Sequence, residues 1–243
     1  MNNKKIYAVI LSHNCEHMID RTISRIPHSS FDKVIVSDDG SMDNSVSKYR
    51  SLGYTVVNSN NKGYGANIKN ALVAAFDDGA DYVLEIHGDG AQFDPKAISK
   101  ASSLIENDTD LILGSRFIEK GRALKLGMPL PRYIANRALS FIDRIILNKN
   151  LSEFHTGFRV YSRKFKDINQ SKFSNDYLFS FQIIAYAIAN DYKVDEIPVE
   201  CDYNSEHTSH GYLGASKYAI THFFVLIWYV LFKYLRVRRS IFK

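Results

Sequence analysis

The feature that most constrains this chain is an apolar run of strand length that stops at a carboxylate between two glycines. The run covers residues 82–86, and Gly88-Asp89-Gly90 follows it after one histidine. A buried parallel strand of an α/β protein delivers a reactive group to its carboxyl end in this way. The glycines let a cation and a phosphorylated ligand approach the backbone. One carboxylate there suits Mg²⁺ or Mn²⁺, which also bind substrate phosphates. The alternative is that Asp89 only caps the helix beginning near Asp94-Pro95.

Length and composition define the broad class. A chain of 243 residues with 45% hydrophobic residues can bury one large core or two fused subdomains. Cys15 and Cys201 lie far apart and belong to no zinc-type cluster, so we expect both to be reduced in a cytosolic setting. The N-terminus leads into an apolar strand without a long signal region, so secretion is not expected.

Strand and helix patterns alternate through the first half. Alternation of this kind predicts right-handed crossovers and a parallel sheet. Asp94-Pro95 provides an N-cap and a proline at the first helical position, which predicts another helix there. The predicted strands cover residues 6–11, 33–37, 54–57 and 111–113, and the predicted helices cover residues 16–26 and 44–52 and a segment that includes 68–76.

Two loops of this half have the character of ligand loops. Asp38 and Asp39 follow the second strand, and with Asp43 available as a helix N-cap they are expected to be free to accept hydrogen bonds from a base or ribose. An acidic turn exposed to water is the alternative. The second loop is Lys62-Gly63-Tyr64-Gly65. It lacks the third glycine of a dinucleotide fingerprint and the Gly-Lys-Ser/Thr of a Walker loop, which excludes NAD and P-loop chemistry.

Five motifs in order resemble family 2 glycosyltransferases, and in particular the branch of dolichyl-phosphate and polyprenyl-phosphate sugar transferases. The resemblance implies a GT-A fold, an α/β architecture with a Rossmann-like, mostly parallel sheet, helices on both faces and a fused acceptor half. It also implies a nucleotide-diphosphate sugar donor, a divalent cation (Mn²⁺ or Mg²⁺) and inversion at the anomeric carbon. The motifs are Asp38-Asp39-Gly40-Ser41, Lys62-Gly63-Tyr64-Gly65-Ala66, His87-Gly88-Asp89-Gly90-Ala91-Gln92, Gly114-Ser115-Arg116-Phe117 and His155-Thr156-Gly157-Phe158-Arg159.

The resemblance assigns residues to the donor side. Asp89 matches the second acid of the family's Asp-x-Asp metal motif, and His87 stands where the first acid would be. Imidazole binds Mn²⁺ but is a poor Mg²⁺ ligand, so we expect either a site centred on Asp89 with fewer protein ligands or a preference for Mn²⁺. A histidine packed at a strand end is the alternative, and Gln92 is an uncertain ligand. The residues expected to bind the nucleotide are Ser12, Asn14, Asp38, Asp39, Lys62 and Gly63.

Arginines are expected to contact phosphates, because a guanidinium forks onto phosphate oxygens and stabilises the charge of a departing diphosphate. Arg116 and Arg132 are the candidates, with a surface position as the alternative for each. Residues 121–131 contain two glycines and two prolines, which predicts a mobile loop over the site.

The acceptor half is predicted to contain helices at 133–147 and 176–190, a strand ending near Tyr161 and a strand at 193–199. In relatives with a hydroxyl acceptor a carboxylate near here is the general base, and Glu153 and His155 are the candidates. A lipid phosphate acceptor is already an anion and needs no base. By resemblance, Arg159 and Lys217 bind acceptor phosphate, although the arginine that often precedes the Gly-x-Ser-Lys motif is absent here.

The C-terminus combines an apolar run with basic residues. Residues 223–232 are too short to cross a bilayer, so an interfacial or re-entrant helix is predicted. Basic residues beside anionic lipid contribute about 1 kcal/mol each, which favours a protein that is cytoplasmic and peripheral to the inner face of the cell membrane. A core helix or homodimer interface with Phe224, Ile227, Trp228 and Leu231 buried is the alternative. The basic residues are Lys233, Arg236, Arg238, Arg239 and Lys243.

The predicted activity is therefore that of an inverting hexosyltransferase acting on a membrane-borne acceptor, such as a polyprenyl phosphate or a lipid-linked glycan, with no nucleic-acid partner. Residues 1–117 are expected to bind the nucleotide sugar, 118–210 to form the acceptor half, and 211–243 to form the C-terminal helix. Two alternatives stay open: an inactive module that binds a partner, and a soluble enzyme with a saccharide hydroxyl acceptor. Residues 11–16 lack the glycine-rich loop of a sugar-phosphate nucleotidyltransferase, which argues against that class.

Overall fold

The predicted alternation of strands and helices is present in the structure, a computed structural model. It describes residues 4–60, 62–203, 212–237 and 240–242, except for the side chains of 212–217 and 240. The strands are β1 (Ile6–Ser12), β2 (Lys33–Asp38), β3 (Thr55–Asn58), β4 (Tyr82–His87), β5 (Leu111–Ser115), β6 (Arg159–Ser162) and β7 (Val194–Pro198). The α-helices are α1 (Ile19–Arg25), α2 (Ser45–Ser51), α3 (Tyr64–Asp77), α4 (Ser102–Glu106), α5 (Arg122–Lys125), α6 (Leu130–Leu147), α7 (Phe179–Ala189) and α8 (Tyr212–Lys233).

The strands form a single mixed sheet in the order β3-β2-β1-β4-β6-β5-β7. β1 is parallel to β2 and β4, β2 to β3, and β5 to β7. Only β6, among the described strands, runs antiparallel to its neighbours β4 and β5. The prediction of a mostly parallel sheet is confirmed, and β7 extends the sheet as expected.

The central strands are buried on both faces, as their continuous apolar sequences require. Side chains alternate along β1, so that Tyr7, Val9 and Leu11 enter one core cluster while Ala8 and Ile10 enter the other. The first cluster includes side chains of α3, α7 and α8, and the second includes side chains of α1, α2 and α4. Helices therefore cover both faces, as predicted.

Several helix boundaries differ from the predictions. The helix expected at 16–26 is a 3₁₀ turn, Glu16–Met18, followed by α1. Asp94 caps the next helix as predicted, accepting a hydrogen bond from the Lys96 amide at 3.1 Å, but the first seven residues, Pro95–Ala101, are 3₁₀ and only α4 is α-helical. Caps and prolines thus identify where a helix starts but do not determine its pitch.

The segment predicted as a mobile loop, residues 121–131, is partly helical. It contains α5, and α6 begins at Leu130, three residues before the predicted start. Pro131 lies in the first turn of α6, where a residue without an N–H leaves no hydrogen bond unmade. The two prolines therefore begin a helix here.

Helix α8 contains the apolar run 223–232 and packs one face of it against the core. Val225, Leu226 and Tyr229 are buried, and the Tyr229 hydroxyl donates to the Leu147 carbonyl at 3.2 Å. Phe224 and Ile227 are exposed, and Trp228 and Leu231 are partly buried, so α8 is not a core helix buried on all sides. A homodimer interface on its exposed side stays a prediction. Among the described helices, none is both long and apolar enough to cross a membrane.

This packing predicts opposite outcomes for neighbouring residues of α8. Leu226 is 1% exposed and Ile227 is 51% exposed. Leu226→Ala should lower the free energy of unfolding by about 2–5 kcal/mol because it leaves a cavity. Ile227→Ala should change it by less than about 0.5 kcal/mol. Urea denaturation of both variants measures the difference, and equal losses would contradict the packing of α8.

Candidate active site

The sheet topology gathers the predicted site residues at one edge. In the parallel registers Ser12 lies opposite Asp38, and Leu11 lies opposite His87. The carboxyl ends of β1, β2 and β4 therefore meet at this edge, and the turn bearing Asp89 follows β4. Because β6 is antiparallel, its first residue, Arg159, also begins at this edge. This is the edge at which open α/β sheets bind ligands.

Asp89 has the surroundings of a cation ligand. Its Oδ1 atom is buried and has no hydrogen-bond partner. A Cβ atom on Gly88 would lie 2.7 Å from the Leu11 carbonyl oxygen, so only glycine fits before the carboxylate. A buried, unpartnered carboxylate oxygen is costly, and a bound cation would remove that cost. Since Asp94 caps the next helix, the alternative of Asp89 as its cap is wrong. The residues present fit Mg²⁺ or Mn²⁺ held by one carboxylate and substrate phosphates.

His87 packs against Glu85 at the end of β4. Its Nε2 atom lies 2.9 Å from Glu85 Oε1. Burial lowers the pKa of His87, but the hydrogen bond and charge of Glu85 outweigh burial and leave it above its ordinary value. This contact is the one expected of a histidine packed at a strand end, and a metal role for His87 stays a prediction. Gln92 is also engaged, donating from Nε2 to the Asp202 carbonyl at 3.4 Å.

Glu85 is a buried carboxylate that sequence analysis did not identify as a site residue. It accepts hydrogen bonds from the hydroxyls of Tyr161, at 2.9 Å, and Tyr64, and pairs with Arg159 at 3.5 Å. Burial raises the pKa of Glu85, but His87 and Arg159 more than offset it and hold the carboxyl ionised. The signal in the sequence was one acid inside an apolar strand.

Arg159 is the cation of this network. It is therefore not free for the role predicted for it, which was to bind acceptor phosphate. Its side chain is 4% exposed, and Nη1 contacts the Tyr64 hydroxyl at 3.4 Å as well as Glu85. Burial lowers the pKa of Arg159, but Tyr64 and Glu85 outweigh burial and raise it. The arginine of this motif neutralises a core carboxylate.

The two acids after β2 are both engaged, contrary to the expectation that they are free. Asp38 accepts from the hydroxyls of Ser12, at 2.9 Å, and Ser41, at 2.6 Å, and from the Ser41 amide at 2.8 Å. Asp39 accepts from the Ser59 hydroxyl and from the amides of two residues of the following loop. Both are buried, so an exposed acidic turn is also wrong. They shape the two loops at the strand ends.

The loop after β3 depends on Asp39 and on two glycines. The amides of Lys62 and Gly63 donate to Asp39 at 2.9 and 2.8 Å. Gly63 has φ of +99°, and a Cβ there would lie 2.7 Å from the Asn175 carbonyl oxygen. A Cβ on Gly65 would meet the Ser174 carbonyl oxygen at 2.5 Å. The glycines let this loop pack directly on the segment before α7.

Asn14 holds the loop after β1 against the loop after β2. Its Oδ1 accepts from the Met42 amide at 2.8 Å, and its own amide donates to the Ser41 hydroxyl at 2.8 Å. It has φ of +49°, a conformation that asparagine tolerates better than most residues. Ser12 and Asn14 therefore lie with Asp38 in one hydrogen-bonded unit.

Arg116 and Glu153 form a buried ion pair. The Glu153 carboxylate accepts from the Arg116 amide at 2.7 Å and from Nε at 2.9 Å, and Nη2 donates to it as well. The guanidinium lies 5.7 Å from the Phe93 ring centre and 5.6 Å from that of Phe117. Burial lowers the pKa of Arg116, but Glu153 outweighs it and raises the pKa. Glu153 is thus committed to Arg116, which contradicts its prediction as a free general base.

The remaining predicted residues lie in different places. The His155 side chain is 7% exposed, with Nε2 2.8 Å from Asp143 Oδ2 and Nδ1 3.3 Å from the Tyr218 hydroxyl, so it is not a free base either. Arg132 is exposed on the first turn of α6, with its guanidinium 5.8 Å from the centre of the Tyr203 ring. The side chain of Lys217 lies outside the described residues, although its backbone belongs to α8.

An aromatic row that sequence analysis missed connects the two halves of the edge. Tyr177 stacks on Tyr64 at 4.9 Å, and Tyr64 meets His87 edge to face at 5.6 Å. His87 contacts Phe93 at 6.3 Å, and Phe93 contacts Arg116. The row joins the end of β4, which the turn bearing Asp89 follows, to the Arg116 ion pair.

Comparison with known proteins identifies relatives along most of the chain. The sequence profile described as Glycosyl transferase family 2 matches residues 7–168. The UDP-N-acetylglucosamine–dolichyl-phosphate N-acetylglucosaminyltransferase of Methanococcus voltae is 26% identical over 231 residues, which cover 87% of this chain and 91% of that protein. An uncharacterized protein of Methanocaldococcus jannaschii is 27% identical over 214 residues, with 87% of each covered.

Solved structures share the fold. Glucosyl-3-phosphoglycerate synthase from Mycobacterium tuberculosis, in complex with Mn²⁺, uridine diphosphate and glucosyl-3-phosphoglycerate, has a TM-score of 0.65 and 17% sequence identity. The match covers 98% of this chain and 82% of that one. The same enzyme with phosphoglyceric acid has a TM-score of 0.67 at 16% identity. The GT-A fold predicted from the motifs is confirmed.

The family match includes the edge of the sheet at which the site residues meet. It contains Asp38, Asp89, Arg116 and both carboxylates of the buried ion pairs, and it covers more than half of the chain. The predicted enzyme class is therefore confirmed. The chain belongs to glycosyl transferase family 2 and is a glycosyltransferase.

Proposed function

We propose that this enzyme moves a sugar, with inversion, from a nucleotide-diphosphate sugar to a membrane-borne phosphate acceptor such as a polyprenyl phosphate. In this proposal residues 1–117 bind the donor, 118–210 contact the acceptor, and 211–243 place the enzyme on the inner face of the cell membrane. The observation that carries the proposal is that both candidate general bases, Glu153 and His155, are already paired with buried partners.

The donor side rests on Asp89. Its unpartnered Oδ1 atom would hold Mn²⁺ or Mg²⁺, and the ion when bound neutralises negative charge on the departing diphosphate. Asp38 and Asp39 would act through the loops that they hold, presenting backbone groups of residues 12–14 and 62–63 to the nucleotide. Arg132 is exposed beside the site and would supply a free guanidinium for a phosphate.

The acceptor side follows from the chemistry of the nucleophile. A sugar hydroxyl must lose its proton as it attacks, which calls for a base within hydrogen-bond reach. A phosphate oxygen is already anionic and needs none. In the proposed step an acceptor phosphate oxygen forms a bond to the anomeric carbon, and the bond from that carbon to the diphosphate oxygen breaks. The electron pair leaves with the nucleoside diphosphate.

Two independent observations support a membrane-borne acceptor. The Methanococcus voltae relative is named for a dolichyl-phosphate acceptor. In addition, α6 and α8 pack together and carry large apolar side chains that are exposed. Lys233 and Arg236 follow this face, and the other C-terminal basic residues, Arg238, Arg239 and Lys243, lie outside the described residues. The exposed apolar residues are Leu130, Ile134, Phe141, Ile145, Ile220, Phe223, Phe224 and Ile227.

The proposal predicts sugar transfer that depends on Asp89. Purified enzyme with UDP-N-acetylglucosamine, Mn²⁺ and dolichyl phosphate should form a sugar-phosphate lipid that is extracted into organic solvent. Asp89→Asn should lower the rate at least about a hundredfold, because the cation contributes several kcal/mol. Asp77→Asn, at an exposed aspartate paired with Lys166, is the matched control and should leave the rate unchanged.

The outcomes separate the alternatives. Transfer at the native rate by Asp89→Asn would refute the cation role. Transfer to 3-phosphoglycerate or a saccharide, but not to the lipid, would favour a soluble acceptor. Absence of nucleotide release from any common donor would favour the inactive module.

Glu153→Gln should reveal a positioning role. Breaking one side of the buried pair with Arg116 should cost about 3 kcal/mol of stability and raise the KM for the donor. The pH profile of kcat/KM should keep the shape that it has in the wild type, including any acid limb, because Glu153 is not the base. Glu119→Gln, at an exposed position, is the control. Loss of the acid limb at native stability would instead identify Glu153 as the base.

Binding to vesicles should depend on the exposed face of α8. The full-length protein should sediment with phosphatidylserine-containing vesicles at low salt and be released as salt rises. Phe224→Ser combined with Ile227→Ser should reduce the sedimented fraction several-fold, since both side chains are exposed. Val73→Ser, at an exposed position of α3, should have no effect. Equal binding by all three proteins would exclude α8 as the contact.

A further inference from the structure

A second cluster of potential metal ligands lies outside the active site. It consists of Asp143 on α6, His155 in the segment before β6, and His222 on α8, and is here called the His–Asp cluster. One ligand atom from each residue lies within 4.8 Å of the others. Asp143 Oδ2 is 2.8 Å from His155 Nε2, and Asp143 Oδ1 is 2.7 Å from His222 Nε2. The side chains of Asp143 and His222 are 0% exposed, and that of His155 is 7% exposed.

The polar atoms of this cluster lie at ion-pair distance from one another, with both imidazoles beside the Asp143 carboxylate. The N–H directions at these contacts are not those of good hydrogen bonds, so both Asp143 oxygens and both Nε2 atoms lack a well-oriented partner. The Nδ1 atom of His222 is also buried without a hydrogen-bond partner. A buried carboxylate that faces two imidazole nitrogens in this way is a donor set that an ion can bind.

We propose that Asp143, His155 and His222 bind a transition-metal ion, with Zn²⁺ as the expected occupant. Two imidazoles and a carboxylate are a donor set that suits Zn²⁺, whereas Mg²⁺ and Ca²⁺ prefer oxygen ligands alone. Around a tetrahedral Zn²⁺ with bonds of about 2.0–2.2 Å, donor atoms lie about 3.3 Å apart. The two N–O distances would need to widen by about half an ångström, which small side-chain rotations supply.

The three side chains would leave the fourth position of a tetrahedral ion to a water molecule, and their surroundings hold them in place. The Tyr218 hydroxyl lies 3.3 Å from His155 Nδ1, so it can fix the ring with Nε2 toward the ion. The Phe181 ring centre lies 4.1 Å from that of His222, and Phe181 is fully buried. Apolar packing of this kind shields a site from bulk solvent and lowers the local dielectric.

The position of the site indicates what the ion would do. Its ligands come from α6, from α8 and from the segment that also carries Glu153. The ion would therefore fasten the C-terminal helix and α6 to the segment that holds Arg116. The unfolded chain does not contain this site, so the free energy of ion binding adds to the free energy of unfolding. The ion would therefore stabilise the folded protein. This site is separate from Asp89, and it does not depend on the proposed function.

Metal analysis of the full-length protein tests the proposal. Enzyme stripped with a chelator and titrated with Zn²⁺ should bind one tight equivalent and melt at a higher temperature. Co²⁺ in its place should give the visible absorption of a four-coordinate ion with nitrogen and oxygen ligands. His222→Ala and Asp143→Asn should each weaken Zn²⁺ binding by more than about a hundredfold.

Two control variants keep the two metal sites apart. Asp89→Asn removes the active-site carboxylate, and His17→Ala removes an exposed histidine. Both should retain the tight Zn²⁺ equivalent and the Co²⁺ spectrum. Failure of the stripped wild-type protein to bind Zn²⁺ or Co²⁺ would overturn the proposal, whether or not His222→Ala folds. Loss of the tight equivalent in Asp89→Asn would overturn it as well, because the ion would then belong to the active site.

Discussion

The structure depends on one buried anion, the Glu85 carboxylate, at the point where β4, β6 and α3 meet. Its partners are the hydroxyls of Tyr64 and Tyr161, the imidazole of His87 and the guanidinium of Arg159. An ionised carboxylate in the core is tolerated only when it is paired and hydrogen-bonded. Removing one partner would therefore leave the buried charge without full compensation for its lost hydration. The same contacts fix the Tyr64 loop, the strand end before Asp89 and the start of β6. The active-site edge is therefore assembled around this charge.

The strands and their order of appearance could be predicted from sequence because long apolar runs are local signals. β1, β2 and β4 were placed within a residue or two, and their parallel pairing follows from the helices between them. The antiparallel β6 could not be predicted in the same way. It has four residues, and its place between β4 and β5 depends on contacts with residues about 50 to 80 positions away. The start of α6 differs from the predicted one because Pro129 and Pro131, which begin this helix, are of a residue type that also marks loops.

The residue types of the site and the edge of the sheet at which they lie could be predicted from the sequence. The hydrogen bonds and ion pairs that these residues make could not. Asp89 is at the strand end where the glycines placed it, with an oxygen free for a ligand. The carboxylates of Asp38, Asp39 and Glu153 were also expected at this edge, yet each is bonded to its own surroundings. Whether an acid is free or engaged depends on partners that are distant in sequence, such as Arg116 for Glu153. A single sequence does not contain that information.

The pairing of charges also explains why a donor would need a cation. Arg116 is neutralised by Glu153 and Arg159 by Glu85, so neither leaves uncompensated positive charge for a diphosphate. Asp89 adds an anion with an unpartnered oxygen at the same edge. A nucleotide diphosphate and an anionic acceptor would both be repelled there, because like charges at close range in a partly desolvated site interact strongly. A divalent ion on Asp89 reverses the sign of that local field. If Asp89 holds a divalent ion as proposed, the affinity of the enzyme for its proposed donor would depend on that ion, because the buried ion pairs leave little other positive charge at this edge.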